Sequence, residues 1–357
     1  MNTFGNIYRL TSFGESHGSA MGGVIDGIPA GTIFNMQALR EEVARRRPGQ
    51  SALVSARSEA DEVRFLSGLM AYDEGSGEMS PFDDSVPVAV ALGTPVGFMI
   101  ENTDARGKDY DALRHVYRPS HADYAWDARY GIRDWRGGGR SSGRETVSRV
   151  VAGAFARQIL SAHGISIVSC IRSLGGVANP GEEEVRRIIN DARSSSDSVG
   201  GIVGCTVSGM PAGIGEPVFG KLQQMLAGAI LSIGGVKGFE YGMGFAGTSM
   251  RGSEAVDEFA AGAAGGVRTA SNHSGGIQGG ISNGMDIVFH AAVKPTPTIA
   301  RQLRTVDDTG KEMTLKAAGR HDPSIVIRIR PVIEAMAAMV VLDAILMRSV
   351  DLSVLSS

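Results

Sequence analysis

The chain has 357 residues, and its 35 lysine and arginine side chains against 38 aspartate and glutamate side chains give a net charge of -3. This balance gives no reason to expect a nucleic acid or an anionic membrane as a partner. No secretory signal and no apolar stretch of the ~20 residues that span a bilayer is visible, and Cys170 and Cys205 lack metal-ligand spacing. We therefore expect a cytoplasmic protein without a metal. Glycine is the compositional exception, because its 49 residues are about twice the usual ~7% and follow no G-X-Y period.

Apolar runs and capping residues predict the secondary structure in chain order. Strands are expected at residues 7–13, 86–92, 96–100, 165–171, 202–207, 285–293 and 325–330, the last because its isoleucines and arginines alternate. Helices are expected at 36–46 behind the cap Asn35, from a capping box of Ser142 and Glu145 as far as Gly164, and after Pro331 as far as Met347, where nearly every face is apolar. Because the strands cluster instead of alternating with helices, the pattern favours an α+β fold in one domain over residues 1–357.

Residues 136–145, with the sequence RGGGRSSGRE, form the strongest functional motif. A glycine-rich turn leads into a capped helix start, where free backbone N–H groups and the helix dipole favour an anion. Arginines and serines add donors around this point: Arg136, Arg140, Ser141, Ser142 and Arg144. The segment predicts a phosphate-binding loop rather than a flexible loop with solvated arginines. It is not a Walker A loop, because GK[ST] occurs nowhere in the chain.

Two further arginine-rich segments have both a structural and a functional interpretation. Arg45, Arg46 and Arg47 end a predicted helix, where cations are favourable in any protein, but three in a row before Pro48 suggest a second oxyanion clamp. Residues 114–149 interleave eight arginines with both tryptophans, a pattern that also occurs in RNA binding. The net charge of -3 favours a small polyanionic ligand instead.

Several candidate acid–base residues lie in turns framed by glycine or proline. Ser16 and His17 lie in residues 14–18, which match the GxSxG pattern of a hydrolase elbow, although no amphipathic helix follows. His121 and Asp322 lie in similar turns further along the chain. Together with the arginine clusters, these side chains indicate an enzyme that performs acid–base chemistry on a phosphorylated substrate.

Eight strings, in order from end to end of the chain, closely resemble chorismate synthases: FGESHG at 13–18, RRRPG at 45–49, RPSHADY at 118–124, YGIRDWRGGGRSSGRET at 130–146, GMPAGIGEP at 209–217, SNHSGGIQGGISNG at 271–284, KPTPTI at 294–299 and GRHDP at 319–323. The resemblance implies a single-domain β-α-β sandwich, with helices packed between antiparallel sheets, assembled as a homotetramer. It implies loss of phosphate and a ring proton from 5-enolpyruvylshikimate-3-phosphate to give chorismate, the last step of the shikimate pathway. It also implies reduced FMN without net redox change, with NADPH as an indirect reductant. Whether the enzyme reduces its own flavin stays open on the sequence; because no extra domain for this reaction is visible, we expect a separate flavin reductase.

The resemblance also assigns roles to residues at matching positions. His17 would protonate the departing phosphate, His121 would protonate or neutralise the reduced flavin, and Asp322 would help flavin N5 act as the base toward the ring proton. The substrate would be bound by Ser16, Arg46, Arg47 and Arg136, of which Arg46 would also touch a nicotinamide cofactor where the family's reductase function exists. The flavin would be bound by Arg140, Ser141, Ser142, Gly234, Gly235, Gly279, Lys294, Pro295, Thr296, Pro297, Thr298, Arg320 and Arg46.

The chain departs from the family pattern at a few positions. Gly235 stands where an alanine is usual beside the flavin, Ala52 replaces a frequent arginine, and Ser120 and Ser274 replace smaller residues. Residues 71–90 form an insertion that we predict to be a surface loop. It carries five acidic residues and no basic one, and burying unpaired carboxylates costs much free energy. These residues are Asp73, Glu74, Glu78, Asp83 and Asp84.

Two other functions stay open on the sequence. The first is a serine hydrolase built on Ser16, and the second is a non-catalytic FMN- or phosphate-binding protein, which would keep the glycine-rich loop but would not need His17, His121 or Asp322.

Overall fold

The computed structural model describes residues 1–47, 61–103, 113–262, 266–316 and 322–355. Short 3-10 turns at Gly139–Ser141 and Gly143–Glu145 carry the glycine-rich motif directly into the third helix. The helices are α1 (Met36–Arg46), α2 (Asp123–Tyr130), α3 (Thr146–Ala162), α4 (Glu182–Ser194), α5 (Leu222–Leu231), α6 (Gly252–Ala255) and α7 (Val326–Leu355).

The strands pair antiparallel throughout the described residues. They are β1 (Thr3–Phe4), β2 (Arg9–Phe13), β3 (Ala20–Asp26), β4 (Ile33–Asn35), β5 (Val63–Phe65), β6 (Leu69–Tyr72), β7 (Met79–Ser80), β8 (Val88–Ala91), β9 (Val96–Glu101), β10 (Ser166–Leu174), β11 (Val177–Ala178), β12 (Gly201–Ser208), β13 (Val236–Tyr241), β14 (Phe259–Ala261), β15 (Val267–Thr269), β16 (Ile277–Gln278), β17 (Ile281–Ser282), β18 (Ile287–Val293), β19 (Gln302–Val306) and β20 (Glu312–Lys316). Two five-stranded sheets, β1-β2-β3-β9-β5 and β11-β10-β12-β18-β13, are accompanied by the smaller sheet β4-β8-β6-β7 and by hairpins β14-β15, β16-β17 and β19-β20.

The helices form a layer between the two five-stranded sheets. Helices α3 and α7 pack on each other, α3 also packs on β2 and β3, and α7 also packs on β10 and β12. The helices come very close, since a Cβ placed on Gly153 of α3 would lie 2.2 Å from the Cβ of Ala335 in α7. This arrangement confirms the predicted α+β fold, with helices between antiparallel sheets. Within the described chain, no helix is both long enough and apolar enough to cross a bilayer.

The two helix starts for which the sequence predicts a cap differ in how far they follow the prediction. Helix α1 spans the predicted residues, and the Oδ1 of Asn35 accepts a hydrogen bond from the N–H of Ala38 at 2.9 Å. The predicted capping box at α3 is wrong in its partners. The Oγ of Ser142 accepts from the N–H of Arg144 at 3.3 Å, and the Glu145 carboxylate accepts from Arg149 at 3.0 Å. The helix therefore begins only at Thr146, after a 3-10 turn.

The strand predicted at residues 325–330 is wrong, because this segment forms the first turns of α7. Val326 and Ile329 are buried three residues apart, which is helical and not strand spacing. In the helical conformation both arginines have partners. Arg328 contacts Asp322, which lies just before the helix, and Arg330 contacts the backbone and the hydroxyl of Ser169 in β10. Burial against the second sheet outweighs the β-branched composition, and Pro331 lies inside the helix instead of before it.

The acidic insertion at residues 71–90 begins and ends inside the smaller sheet. Its first residues belong to β6 and its last to β8, where Ala89 and Val90 are buried. Between these strands the five acids are exposed, as predicted, and several cap turns: Asp73 accepts from the N–H of Gly75 at 2.8 Å. The segment is therefore an extended hairpin on the sheet edge, with only its middle forming a surface loop.

Candidate active site

The glycine-rich turn packs directly against His17. The side chain of His17 is 8% exposed and its Nδ1 lies 3.1 Å from the Oγ of Ser16, which in turn donates to the carbonyl of Arg136 at 3.4 Å. Gly137 has a φ of +68°, and a Cβ on it would lie 2.3 Å from the Cε1 of His17. Only glycine satisfies both the left-handed backbone and this close approach. Two segments that the family resemblance assigns to one site are therefore in direct contact.

The structure also bears on the interpretation of residues 14–18 as a hydrolase elbow. Strand β3, and not a helix, follows Ser16 and His17, so the strand-turn-helix geometry of a hydrolase elbow is missing from this part of the chain. Ser16 is 1% exposed, and its Oγ faces the imidazole of His17.

The turn at residues 118–121 continues the site from the other side of the glycine-rich turn. A Cβ on Gly138 would lie 3.1 Å from the Nη2 of Arg118. Arg118 is held in place by Asp123, which accepts from its Nε at 2.8 Å and from its Nη2 at 2.7 Å. Burial acts to raise the pKa of Asp123, but the hydrogen bonds and charge of Arg118 hold that pKa below its usual value. Arg118 is not among the predicted site residues, and its place in the 118–124 motif was the available signal.

Residues 294–298, at the end of β18, meet this turn. The Nε2 of His121 lies 2.5 Å from the Oγ1 of Thr298, and the Nζ of Lys294 donates to the carbonyl of Ser120 at 2.9 Å. The backbone N–H of Lys294 donates to the carbonyl of Gly235 at 2.9 Å. Burial, together with the nearby charge of Lys237, lowers the pKa of Lys294. Predicted catalytic and cofactor-binding positions from three distant chain segments are therefore in contact.

The remaining contacts lead from Gly235 back to the glycine-rich motif, so that the series of contacts is closed. A Cβ on Gly235 would lie 2.6 Å from the Cδ1 of Ile325, three residues after Asp322. The Oδ2 of Asp322 accepts from Nη1 of Arg328 at 2.7 Å, and the Nε of Arg328 donates to the carbonyl of Arg46 at 3.4 Å. The Nη2 of Arg46 then donates to the carbonyl of Gly143, back in the glycine-rich motif, at 2.9 Å. We call this closed series of contacts, together with the contacts of His17 with Gly137 and of His121 with Thr298, the contact ring. The series runs through Gly138, Arg118, Ser120, Lys294, Gly235, Ile325, Asp322, Arg328, Arg46 and Gly143, and short stretches of the chain link those of them that do not contact each other directly.

Substituting Gly235 by the alanine that is usual in the family is expected to destabilise this chain. Gly235 has a φ of +94°, a conformation that costs a residue with a Cβ about 1–2 kcal/mol, and the new methyl would press on Ile325. Urea denaturation of Gly235→Ala without cofactor should show a lower free energy of unfolding. Gly234→Ala is the matched control, because a Cβ on Gly234 would meet nothing within 4 Å. Equal stability of the two variants would show that backbone strain at Gly235 is unimportant.

The three consecutive arginines at the end of α1 do not act as one clamp. Arg45 turns toward Glu334, with contacts at 2.6 and 3.1 Å, whereas Arg46 turns toward the glycine-rich motif. Arg47 lines a separate cavity of about 560 Å³ together with Arg40 and Arg64. The structural interpretation therefore holds for Arg45, and the substrate-binding roles of Arg46 and Arg47 stay predictions.

One predicted flavin-binding position, Gly279, lies away from the chain segments that the contact ring joins. Gly279 lies in the β16-β17 hairpin, whose Gly280 carbonyl accepts from the N–H of Leu222 at the start of α5. Gly235 follows the far end of that ten-residue helix, about 15 Å away. Arg320 lies outside the described residues.

A cavity of about 450 Å³ adjoins the glycine-rich turn, lined among others by Trp126, Trp135, Arg136, Arg140 and Ser141. Arg140 reaches back to β2, where its Nη2 donates to the Oγ of Ser12 at 2.7 Å. The described residues include no group of three or more histidine, cysteine, aspartate or glutamate side chains arranged to hold a metal. The site thus offers cations, hydroxyls and imidazoles, which suit an anionic organic ligand.

Comparisons with known proteins agree on one family. A family model described as chorismate synthase matches residues 8–346. The chorismate synthase of Porphyromonas gingivalis is 49% identical, over 97% of this chain and 96% of its own, and that of Bacteroides fragilis is 45% identical, over 96% and 97%. A crystal structure of chorismate synthase superimposes with a TM-score of 0.73 at 26% identity, covering 97% of this chain and 93% of that one.

The fold, the contact ring and these matches define an enzyme of the lyase class. The chain belongs to the chorismate synthase family.

Proposed function

We propose that this enzyme converts 5-enolpyruvylshikimate-3-phosphate into chorismate and inorganic phosphate, the last step of the shikimate pathway of aromatic amino-acid biosynthesis. In this anti-1,4-elimination the C–O bond to phosphate and one ring C–H bond break, a second ring double bond forms, and no net oxidation occurs. The observation that carries the proposal is the contact ring, which joins two imidazoles, the predicted phosphate-binding loop and a partly buried lysine from distant parts of the chain. Membership of the chorismate synthase family supports it.

His17 is the proposed acid for the departing phosphate. Its Nδ1 is oriented by the Ser16 hydroxyl, and its ring packs on Gly137 of the phosphate-binding loop. A positioned proton donor beside arginines lowers the cost of the negative charge that grows on the leaving oxygen. Arg136, Arg47 and Arg46 are the proposed ligands for the substrate's anionic groups, together with Ser16.

The residues of the ring fit a flat, anionic cofactor such as reduced FMN. The Oγ1 of Thr296 is buried without a hydrogen-bond partner in the described structure, and Lys294 has a pKa lowered by burial, so both would gain from an anion with acceptor oxygens. Gly234 leaves open space beside them. When bound, reduced FMN would supply transient electron density to the substrate, chemistry that belongs to the cofactor. The proposed ligands are Arg140, Ser141, Ser142, Gly234, Gly235, Gly279, Lys294, Pro295, Thr296, Pro297, Thr298, Arg320 and, at a nicotinamide, Arg46.

His121 and Asp322 are the proposed proton-handling residues on the cofactor side. Thr298 fixes the imidazole of His121 at Nε2, and Arg328 fixes the carboxylate of Asp322. Fixed orientation is what a residue needs to hold or pass a proton at one defined place. His121 would neutralise charge near the cofactor, and Asp322 would assist removal of the ring proton.

We extend the proposal to the setting of the enzyme. A single-domain homotetramer in the cytoplasm, with a separate flavin reductase and NADPH as the indirect reductant, agrees with the chain's near-neutral charge and with the family to which it belongs.

Cofactor binding should be coupled to proton uptake at alkaline pH. Because burial lowers the pKa of Lys294 below 10.5, the free protein holds fewer protons there than an exposed lysine would. An anion placed beside Lys294 raises that pKa again, so protons are taken up between the lowered value and the raised one. Calorimetric titration with FMN in two buffers of different ionisation enthalpy measures the uptake. Lys294→Met should abolish it and Lys311→Met, an exposed lysine of the β19-β20 turn, should not.

An anaerobic assay tests the proposed function. The purified protein is given 5-enolpyruvylshikimate-3-phosphate with reduced FMN, with oxidised FMN, or with oxidised FMN plus NADPH. We expect chorismate and phosphate in equal amounts with reduced FMN alone. Product in the third mixture would show that the chain reduces its own flavin and would overturn the separate reductase. The absence of product from all three would overturn the proposed function.

A further inference from the structure

Two neighbouring arginines of α1 are each paired with a different buried carboxylate. Arg45 contacts Glu334, whose residue is 1% exposed, and Arg46 contacts Asp61, whose side chain is 0% exposed. Each carboxylate also binds a second arginine, Arg157 in the case of Glu334 and Arg144 in the case of Asp61. The two carboxylates are alike in burial and charge, although the arginines on Glu334 are 38% and 24% exposed and those on Asp61 only 4% and 3%. Only Asp61 lies under the candidate active site.

Asp61 is held in a conformation that few residues adopt. Its φ is +49°, and its two carboxylate oxygens accept from the Nη1 atoms of Arg46, at 3.1 Å, and of Arg144. A backbone of this kind persists only where the surroundings fix it, and such residues cluster at functional sites.

From Asp61 a first arm leads to the phosphate-binding loop. Arg46 also donates from its Nη2 to the carbonyl of Gly143 at 2.9 Å and from its Nε to the Oγ1 of Thr146 at 3.0 Å. Gly143 directly follows Ser142, so the arm fixes the end of the loop that carries the proposed phosphate and flavin ligands.

A second arm leads from Asp61 to the turn that carries His17. The Nε of Arg144 donates to the Oδ1 of Asn102 at 3.0 Å. The Nδ2 of Asn102 then donates to the carbonyls of Glu15 at 3.0 Å and Gly18 at 2.9 Å, on either side of His17.

We propose that Asp61 is a positioning residue, which through these two arms sets the His17 turn against the phosphate-binding loop. The inference rests on the proposed function, since it concerns how that site is held together. An aspartate at this point orients both guanidinium groups at once, because each of its oxygens accepts from one of them. An asparagine would present an N–H to one arginine and would release one arm.

Asp61→Asn and Glu334→Gln form a matched pair for the test. Both variants are expected to melt at a lower temperature, because each weakens a buried pair of charges. The dissociation constant of oxidised FMN, followed by flavin fluorescence, should rise about tenfold in Asp61→Asn, the loss of one charged hydrogen bond. The same dissociation constant should change less than about twofold in Glu334→Gln, which is the size of change expected for a substitution away from the site. Equal FMN dissociation constants for the two variants would overturn the inference.

Two milder variants separate the arms and serve if Asp61→Asn fails to fold. Thr146→Val, which removes the acceptor of the Arg46 Nε, should weaken FMN binding with little change in kcat at saturating reduced FMN. Asn102→Ala should leave the FMN dissociation constant unchanged and lower kcat by up to about 100-fold, through displacement of the His17 turn. If both variants change the same quantity, the two-arm arrangement is wrong. Failure of the unmodified protein to form chorismate would instead overturn the proposed function, while the FMN dissociation constants still decide the inference.

Discussion

Replacing His17 with alanine should lower the rate of chorismate formation by about 100- to 10,000-fold, the usual contribution of a positioned proton donor. The phosphate then leaves without a proton, in a site whose arginines stay in place. The FMN dissociation constant should change little, because the imidazole contacts Ser16 and Gly137 rather than the 294–298 segment. Anaerobic stopped-flow measurement of chorismate formation, with flavin fluorescence for binding, separates the two effects.

His163→Ala is the control for this experiment. His163 is exposed at the end of α3 and has no side-chain part in the contact ring. His121→Ala should also lose turnover, and its removal of the contact with Thr298 makes it a second test of the ring. Full turnover in both His17→Ala and His121→Ala would show that the assigned proton transfers are wrong.

Replacing Gly153 with alanine should lower the free energy of unfolding by about 1–3 kcal/mol. Alanine is normally the better helix former, but here the new methyl would lie 2.2 Å from the Cβ of Ala335, so α3 and α7 would have to move apart. Because α3 continues directly from the glycine-rich motif, the shift should also weaken FMN binding. Urea denaturation followed by circular dichroism measures the first effect.

Gly228→Ala in α5 is the matched control, for which we expect the free energy of unfolding to change in the opposite direction. A Cβ on Gly228 would meet nothing within 4 Å, so the same substitution should stabilise the protein by about 0.5–1 kcal/mol through helix propensity alone. A destabilisation of similar size in both variants would mean that glycine is needed for backbone reasons and not for close packing of α3 on α7.

The sequence predicts the elements that local patterns determine. The cap Asn35 fixes the start of α1, and strands such as β12 and β18 follow from apolar runs with turn residues around them. It fails at residues 325–330, because alternation of isoleucine and arginine describes a strand and a buried helix with satisfied arginines equally well. Tertiary packing, which no short window contains, decides between them.

The residues of the candidate site likewise divide into those that the sequence indicates and those that only the folded structure shows. The glycine-rich motif indicated an anion site on physical grounds, and family resemblance supplied His17, His121 and the 294–298 segment. Asp61 and Asn102 could not be found, because a lone aspartate and a lone asparagine in polar surroundings have no periodicity or motif. Their importance follows only from the long-range hydrogen bonds that the folded chain brings together.

The contact ring has a consequence for the order of folding. Its contacts join residues far apart in the chain, with separations of 177 residues between His121 and Thr298 and 282 between Arg46 and Arg328. Such contacts form late, because long loops must close before they contribute. A chain still on the ribosome, or one whose last helix has not docked, contains the glycine-rich motif. It lacks the long-range contacts that join this motif to the other segments of the contact ring. Catalytic competence in this enzyme therefore reports completion of folding, and a refolding experiment should recover helical circular dichroism before it recovers turnover.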